Sequence, residues 1–520
     1  MAKALMIQGT GSGAGKSLIA AALCRIFSNK GIDVAPFKAQ NMALNSFITL
    51  DGGEIGRAQA LQAEASRTAA TVDMNPVLLK ASGEAGSQVI IHGKVVKMMK
   101  AKEYYAFKKE AWTAVRASYD RLSKKHDLII MEGAGSPAEI NLMDVDIVNM
   151  SAAKYAKAPV LLVGDIDKGG VFASIYGTVR LLGRDSRQIR GFIINKFRGD
   201  LEILRPGLEM IKEITGKPVA GVLPYFSDLG LPEEDGLSLG HGTRTGVHGT
   251  GEIKVVVVRL KYISNFTDFD PLSSEPDAEL VYSKNPADIE NADLVIIPGS
   301  KNTVKDLLFL RESRLDESIK RAFAKGVQIT GICGGYRCSA EDIRPSRVES
   351  PHREVEGLGL LNIETFFENE KITCQVEAEI IQCEMSGITQ GVPGVCSCAV
   401  IPACRESFFE EGSRTSLPAY GGAEVYLPAA APGATRGDQG RNDKQDSASS
   451  GLVSRSNNPY PETIRGYEIH MGASRGDIGL FRIRRFPGNS APLDQDSKLL
   501  LDGSRHRNCW GTYLHGILKQ

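Results

Sequence analysis

The chain has 520 residues, balances 62 Lys+Arg against 62 Asp+Glu, and is 42% hydrophobic. Zero net charge argues against a nucleic-acid or membrane-surface role resting on bulk electrostatics, and no run approaches the roughly 18 uninterrupted apolar residues of a membrane span. Nine cysteines without paired metal-ligand spacing read as reduced thiols. With no signal-peptide pattern at the N-terminus, they point to a cytoplasmic protein.

This length predicts two domains. Short apolar runs at 4–8, 33–37, 127–131, 159–163 and 190–194 alternate with helical stretches, the pattern of a parallel sheet covered on both faces. The first run leads into Thr10-Gly-Ser-Gly-Ala-Gly-Lys-Ser17 and then a helical stretch from Leu18 to Phe27. This is a phosphate-binding loop. The backbone N–H groups of Thr10, Gly11, Ser12, Gly13, Ala14 and Gly15 can surround phosphate oxygens, Lys16 can reach the β/γ-phosphates of ATP, and the Ser17 hydroxyl can ligate Mg²⁺. The strict pattern places Gly six residues before the lysine. Here Thr10 holds that position and Gly9 precedes it.

Glu132 ends the apolar run Leu128-Ile-Ile-Met-Glu132, at the sheet edge where open α/β folds bind ligands. It is a candidate metal ligand beside Ser17, with a capping or solvated carboxylate as the structural alternative. The pattern fades near residue 226, and 229–252 reads as a linker between a first domain over 1–228 and a second over 253–520. The second unit opens with Ile253-Lys-Val-Val-Val-Val-Arg259 and continues through Asp293-Leu-Val-Ile-Ile-Pro-Gly299. Its next strand, Val327-Gln-Ile-Thr-Gly-Ile332, runs into Cys333-Gly-Gly-Tyr336. A strand entering a cysteine followed by glycines is a nucleophile elbow, which leaves the Gly334 N–H facing the reaction centre. His515, in Gly511-Thr-Tyr-Leu-His-Gly516, is the partner base, so the pair predicts acyl transfer through a thioester. From about 384 to 463 the composition turns to Gly, Ser, Pro, Ala and Arg, which reads as a disordered insertion without catalytic duty. Glu468 and His470 alternate on one strand face and are expected to shape the pocket.

Several blocks make the chain resemble the cobyric acid synthase family, the glutamine-dependent amidases of cobalamin biosynthesis. They are Pro36-Phe-Lys-Ala-Gln-Asn-Met-Ala-Leu-Asn-Ser46, Glu54-Ile-Gly-Arg-Ala-Gln-Ala60, Met74-Asn-Pro-Val-Leu-Leu-Lys80, Asp165-Ile-Asp-Lys-Gly-Gly-Val-Phe172, Ile263-Ser-Asn-Phe-Thr-Asp-Phe269 and Pro298-Gly-Ser-Lys-Asn-Thr303, together with the Cys333 and His515 motifs. The first half is also similar to dethiobiotin synthetase and the second to class I glutamine amidotransferases.

The resemblance implies an α/β fold of two doubly wound domains, a P-loop NTPase-type parallel sheet and an amidotransferase-like domain. It implies ATP and Mg²⁺ as cofactors, with glutamine and a corrinoid, adenosylcobyrinic acid a,c-diamide, as substrates. Lys38 would stabilise the transferring phosphoryl or the substrate carboxylate, with a surface salt bridge as the alternative. Asn195 is placed at the adenine, or else in a turn, and a backbone N–H at Gly299 would join that of Gly334 in an oxyanion hole. Many class I relatives carry an acidic residue two positions after the histidine; Ile517 stands there in this chain. Competing functions are cobyrinate a,c-diamide synthase and a non-catalytic P-loop switch, whose signature lysine is replaced here by Gly11.

Overall fold

The computed structural model describes residues 2–81, 86–226, 244–245, 253–344, 354–381, 463–486 and 499–519. The first unit is built on a six-stranded parallel sheet. Its strand order is Val219–Pro224, Ile189–Phe197, Val160–Asp165, Lys3–Gly9, Leu128–Glu132, Val34–Phe37. These strands are near-continuous apolar runs because both faces are covered, and Met6, Ile7, Ile129, Ile130, Leu162 and Val163 have no measurable exposure. All five expected strands are present, each starting within a residue or so of the sequence reading. The edge strand Val219–Pro224 was not anticipated. Its half-exposed, irregular burial lacks the apolar run by which its neighbours are recognised.

Between Val34–Phe37 and Leu128–Glu132 the chain inserts a smaller sheet and a hairpin. The sheet comprises Gln40–Met42, Val77–Ala81, Ser87–Ile91 and Lys94–Met99. The hairpin pairs Ser46–Ile48 with Glu54–Gly56 and leads into the helix Arg57–Ala65.

The second unit has a seven-stranded sheet ordered Arg244–Thr245, Ala278–Ser283, Ile253–Val258, Leu294–Ile297, Gln328–Ile332, Cys509–Thr512, Ser504–His506. The five central strands are parallel. Arg244–Thr245, within the expected linker, instead pairs antiparallel with Ala278–Ser283; the rest of 229–252 lies outside the described residues. The doubly wound description also needs enlarging here. Another sheet, mainly antiparallel, is organised on the long pair Ile363–Ile380 and Ile464–Gly476. It receives the two-residue strand Leu514–His515 beside Tyr467 and Glu468. The expected insertion lies almost wholly outside the described residues.

No helix among the described residues is long and apolar enough to cross a membrane.

Candidate functional site

The phosphate loop follows the central strand Lys3–Gly9, and the helix Lys16–Asn29 begins directly after Gly15, which has φ 96°. Only glycine adopts that conformation without strain. A side chain there would also collide with the Asn195 carboxamide, 2.1 Å from the position of a Cβ. The Lys16 ammonium donates to the Gly11 carbonyl at 2.8 Å and to that of Gly135 at 3.2 Å. It therefore spans the loop and the segment following Glu132.

Glu132 is the hub of this site. Its Oε1 accepts from Ser17 Oγ at 2.7 Å and from Lys38 Nζ at 2.8 Å, while Oε2 accepts from Gln62 at 2.6 Å and Gln59 at 3.3 Å. The carboxylate is 1% exposed and Lys38 4%, so neither a solvated Glu132 nor a surface Lys38 pair describes them. Burial opposes ionisation of Glu132, yet the Lys38 ammonium and the hydrogen bonds from Gln62 and Ser17 outweigh it and hold the carboxyl below its usual range. Ser17 and Glu132 thus present hard oxygen donors side by side, a fit to Mg²⁺ completed by phosphate oxygens and water. The helix N-terminus and the loop glycines suit an anionic phosphate chain.

Asn195 is 5% exposed, and its Nδ2 donates to the Ala14 carbonyl at 2.9 Å. The carboxamide buttresses the loop's backbone. Lys196 assists by donating to the Gly13 carbonyl and pairing with Asp165, each at 2.9 Å.

The second site is set by tight backbone packing at the elbow. Cys333 has φ 49° and ψ −101°, a strained conformation for a side-chain-bearing residue. A Cβ on Gly335 would lie 1.8 Å from the Ile297 carbonyl oxygen, and one on Gly334 2.5 Å from the Ser300 nitrogen. The glycines therefore let the elbow press against the Pro298-Gly299-Ser300 turn. Asp306 braces that turn, accepting from Ser300 Oγ at 2.6 Å and from the Lys261 N–H at 3.0 Å. Arg337 is 3% exposed. Its guanidinium lies 4.7 Å from the Phe367 ring centroid and 5.4 Å from that of Tyr513.

The orienter of His515 is Asp268. Its Oδ2 stands 2.6 Å from His515 Nδ1, and both side chains are buried. Tyr467 stacks on the imidazole with ring centroids 5.3 Å apart and planes inclined by 13°, and its hydroxyl donates to Asp268 Oδ1 at 3.4 Å. Burial disfavours the imidazolium, but Asp268 and the Cys333 sulfur outweigh it and push His515 up to about 10. Burial likewise disfavours the Cys333 thiolate, and His515 and Arg337 reverse that, bringing the thiol below its usual range. The other described cysteines behave oppositely. Burial raises Cys24 to about 11 and Cys338, Cys374 and Cys509 further.

Glu468 and His470 are buried and hydrogen-bonded to each other at 3.2 Å. Glu468 also pairs with Arg485, and His470 stacks on Tyr513 at 4.0 Å between centroids. They form a buried polar cluster beside Tyr513.

The hairpin joins the two units. Its Ser46 N–H donates to Asn265 Oδ1 at 3.1 Å, and Thr373 Oγ1 donates to the Gly52 carbonyl at 2.8 Å. Fully buried Glu54 pairs with Lys80 at 2.9 Å and with Lys371 of the second unit. Removing one partner from such a buried group generally costs about 3–5 kcal/mol. Sequence reasoning missed Asp268, Gln59, Gln62 and this seam, although Asp268 and Gln59 lie inside motif blocks singled out above.

Residues 5–239 match the family model of the CobQ/CobB/MinD/ParA nucleotide binding domain, and residues 254–391 that of the CobB/CobQ-like glutamine amidotransferase domain. The chain is similar over its whole length to a cobyric acid synthase of Thermodesulfovibrio yellowstonii, with 46% identity over 520 residues, 100% of this chain and 88% of the relative. A cobyric acid synthase of Syntrophobacter fumaroxidans is 41% identical over 523 aligned residues, covering 99% of this chain and 87% of its own. Another, from a Thermoanaerobacter species, is 53% identical over 382 residues, covering 73% of this chain and 75% of its own.

Proposed function

The chain belongs to the cobyric acid synthase family, and on that premise we propose that it amidates the b, d, e and g carboxylates of adenosylcobyrinic acid a,c-diamide in the cytoplasm, using ATP and glutamine. The observation that carries this reading is the presence in one chain of a phosphate loop facing Glu132 and a thiol coupled to a His515–Asp268 pair.

A carboxylate is a poor electrophile. In the first site its oxygen attacks the γ-phosphorus of ATP, the bond to ADP breaks, and an acyl phosphate forms. Lys16 neutralises charge on the β/γ-phosphates, and Lys38, beside Glu132, stabilises the transferring phosphoryl group. Ser17 and Glu132 would hold Mg²⁺, whose charge would offset that of the phosphate oxygens.

In the second site the Cys333 thiolate attacks the glutamine carboxamide carbon. The oxyanion is met by N–H groups at Gly334 and Gly299, and His515 gives its proton to the departing ammonia. The resulting thioester is hydrolysed by water, with His515 taking the water's proton, to give glutamate. Ammonia then displaces phosphate from the acyl phosphate and leaves an amide. Asp268 keeps Nδ1 protonated and directs Nε2 toward chemistry.

The test incubates the purified chain with adenosylcobyrinic acid a,c-diamide, ATP, Mg²⁺ and glutamine and counts amides on the corrinoid by mass spectrometry. Amidation at b, d, e and g with ATP consumed at each supports the reading. A chain that adds only the a and c amides, starting from the unamidated ring, would be a diamide synthase.

A further inference from the structure

The glutaminase triad is not enclosed by its own unit. Asn265, which leads into the turn carrying Asp268, has φ 54° and is 3% exposed, and its carbonyl accepts from the Asp268 N–H at 3.0 Å. Its side-chain oxygen is held from outside, by the Ser46 N–H of the nucleotide-binding unit. Tyr467, which stacks on His515, is met from the same side. The Phe47 ring lies 6.1 Å from it, and Ile48 clusters with Tyr467 and Ile469. The Ile469 carbonyl in turn accepts from the Cys333 thiol at 3.7 Å. Three successive hairpin residues therefore touch groups that each contact a member of the triad.

The hairpin is anchored in a way that fixes these contacts. Lys80 donates to Ser46 Oγ at 3.0 Å and to Glu54 Oε1 at 2.9 Å, tying both strands to one ammonium. Lys371 closes the cluster from the glutaminase side, through Glu54. At its other end the hairpin runs into the helix Arg57–Ala65, whose Gln59 and Gln62 hold Glu132. A short length of backbone thus spans both reaction centres.

We propose that the Ser46–Gly56 hairpin of the nucleotide-binding unit is a working part of the glutaminase, with Ser46 and Phe47 acting as positioning residues that set the Asp268–His515 pair through Asn265 and Tyr467. Neither residue touches substrate in this account. They fix the position and dipolar surroundings of the base, and small displacements of catalytic groups are costly: a misplacement of about 1 Å can lower a rate by about a hundredfold. The proposal rests on the glutaminase reading and not on the identity of the amidated substrate.

The test uses the full-length chain and follows glutamate release from glutamine, with ATP and Mg²⁺ present and no corrinoid. Release by the unaltered chain checks the glutaminase reading itself, separately from the hairpin's role. Asn265→Gly keeps the backbone conformation but removes the acceptor for Ser46, Asn265→Asp keeps the acceptor, and Phe47→Ala removes the ring against Tyr467. Asn265→Gly and Phe47→Ala are expected to lower kcat about tenfold to a hundredfold with the glutamine KM little changed, and to move the acid limb of the kcat profile to higher pH. Asn265→Asp is expected to restore both. Loss of folded protein would lower the amplitude without moving the limb. An unshifted limb in both impaired variants, a kcat within about twofold of the unaltered chain, or failure of Asn265→Asp to restore activity would overturn the proposal.

Discussion

Asp268 Oδ2 lies 2.6 Å from His515 Nδ1 although 247 positions separate the two residues in the chain. The pairing charges the imidazole, and the imidazolium in turn favours the Cys333 thiolate. The two groups titrate as a coupled pair, and the limits of glutaminase activity belong to the pair.

Two limbs follow for the pH profile of glutamine hydrolysis. Below the depressed Cys333 value the thiolate is protonated and the nucleophile is lost. Above about 10 His515 is deprotonated and the leaving ammonia has no proton donor. Asp268→Asn removes the charge that raises His515, so the acid limb should move up and the alkaline limb down, narrowing the profile from both sides. Steady-state rates across pH, with ultraviolet absorbance of the thiolate as an independent readout, check this.

Cys333→Ser should abolish glutamine-dependent amidation and leave amidation from high ammonium intact, because free ammonia meets the acyl phosphate without the thioester step. Parallel assays with the two nitrogen sources decide it. Equal loss with both would make Cys333 structural.

Lys16→Ala should remove ATP turnover, and amidation with it, whichever nitrogen source is supplied. The lost charge at the β/γ-phosphates is worth on the order of several kcal/mol of transition-state stabilisation. Release of ADP measures it, and persistence of ammonia-driven amidation near the unaltered rate would remove Lys16 from the phosphate site.

Gly335→Ala should destabilise the second unit. The added methyl would sit 1.8 Å from the Ile297 carbonyl oxygen, a clash with backbone that no side-chain rotation relieves. Overpacking of this kind typically costs about 1–3 kcal/mol or more. A lowered thermal midpoint together with reduced glutamate release is the expected outcome.

The two contiguous motifs were legible in the sequence because each is local: a strand, a turn of small residues and a helix carry the chemistry within a few positions. Asp268 was not. It reaches His515 only when the turn after the first strand of the second unit is folded over the last strand of the chain. Its signal lay in Asn265 and Asp268, an αL-tolerant residue followed three positions later by a carboxylate. Gln59 and Gln62 were overlooked because a helical glutamine reads as a solvated face until Glu132 is buried beside it. The hairpin had a signal of its own, Asp51-Gly52-Gly53, a turn composition between two short strands. Its destination across the unit boundary could be read only from tertiary structure, as could the antiparallel sheet that carries His515, since its long strands come from widely separated parts of the chain.

The contrast among the cysteines bears on how this protein meets electrophiles and oxidants. Nucleophilic attack proceeds through the thiolate, and a thiol raised to about 11, as at Cys24, presents it in only about one molecule in ten thousand at neutral pH. Cys338, Cys374 and Cys509 are still less available. Among the described thiols, an alkylating glutamine analogue therefore has a single competent target, Cys333. The same selectivity is a weakness under oxidative stress, since a peroxide would silence the glutamine half-reaction at that one sulfur before the remaining described thiols reacted.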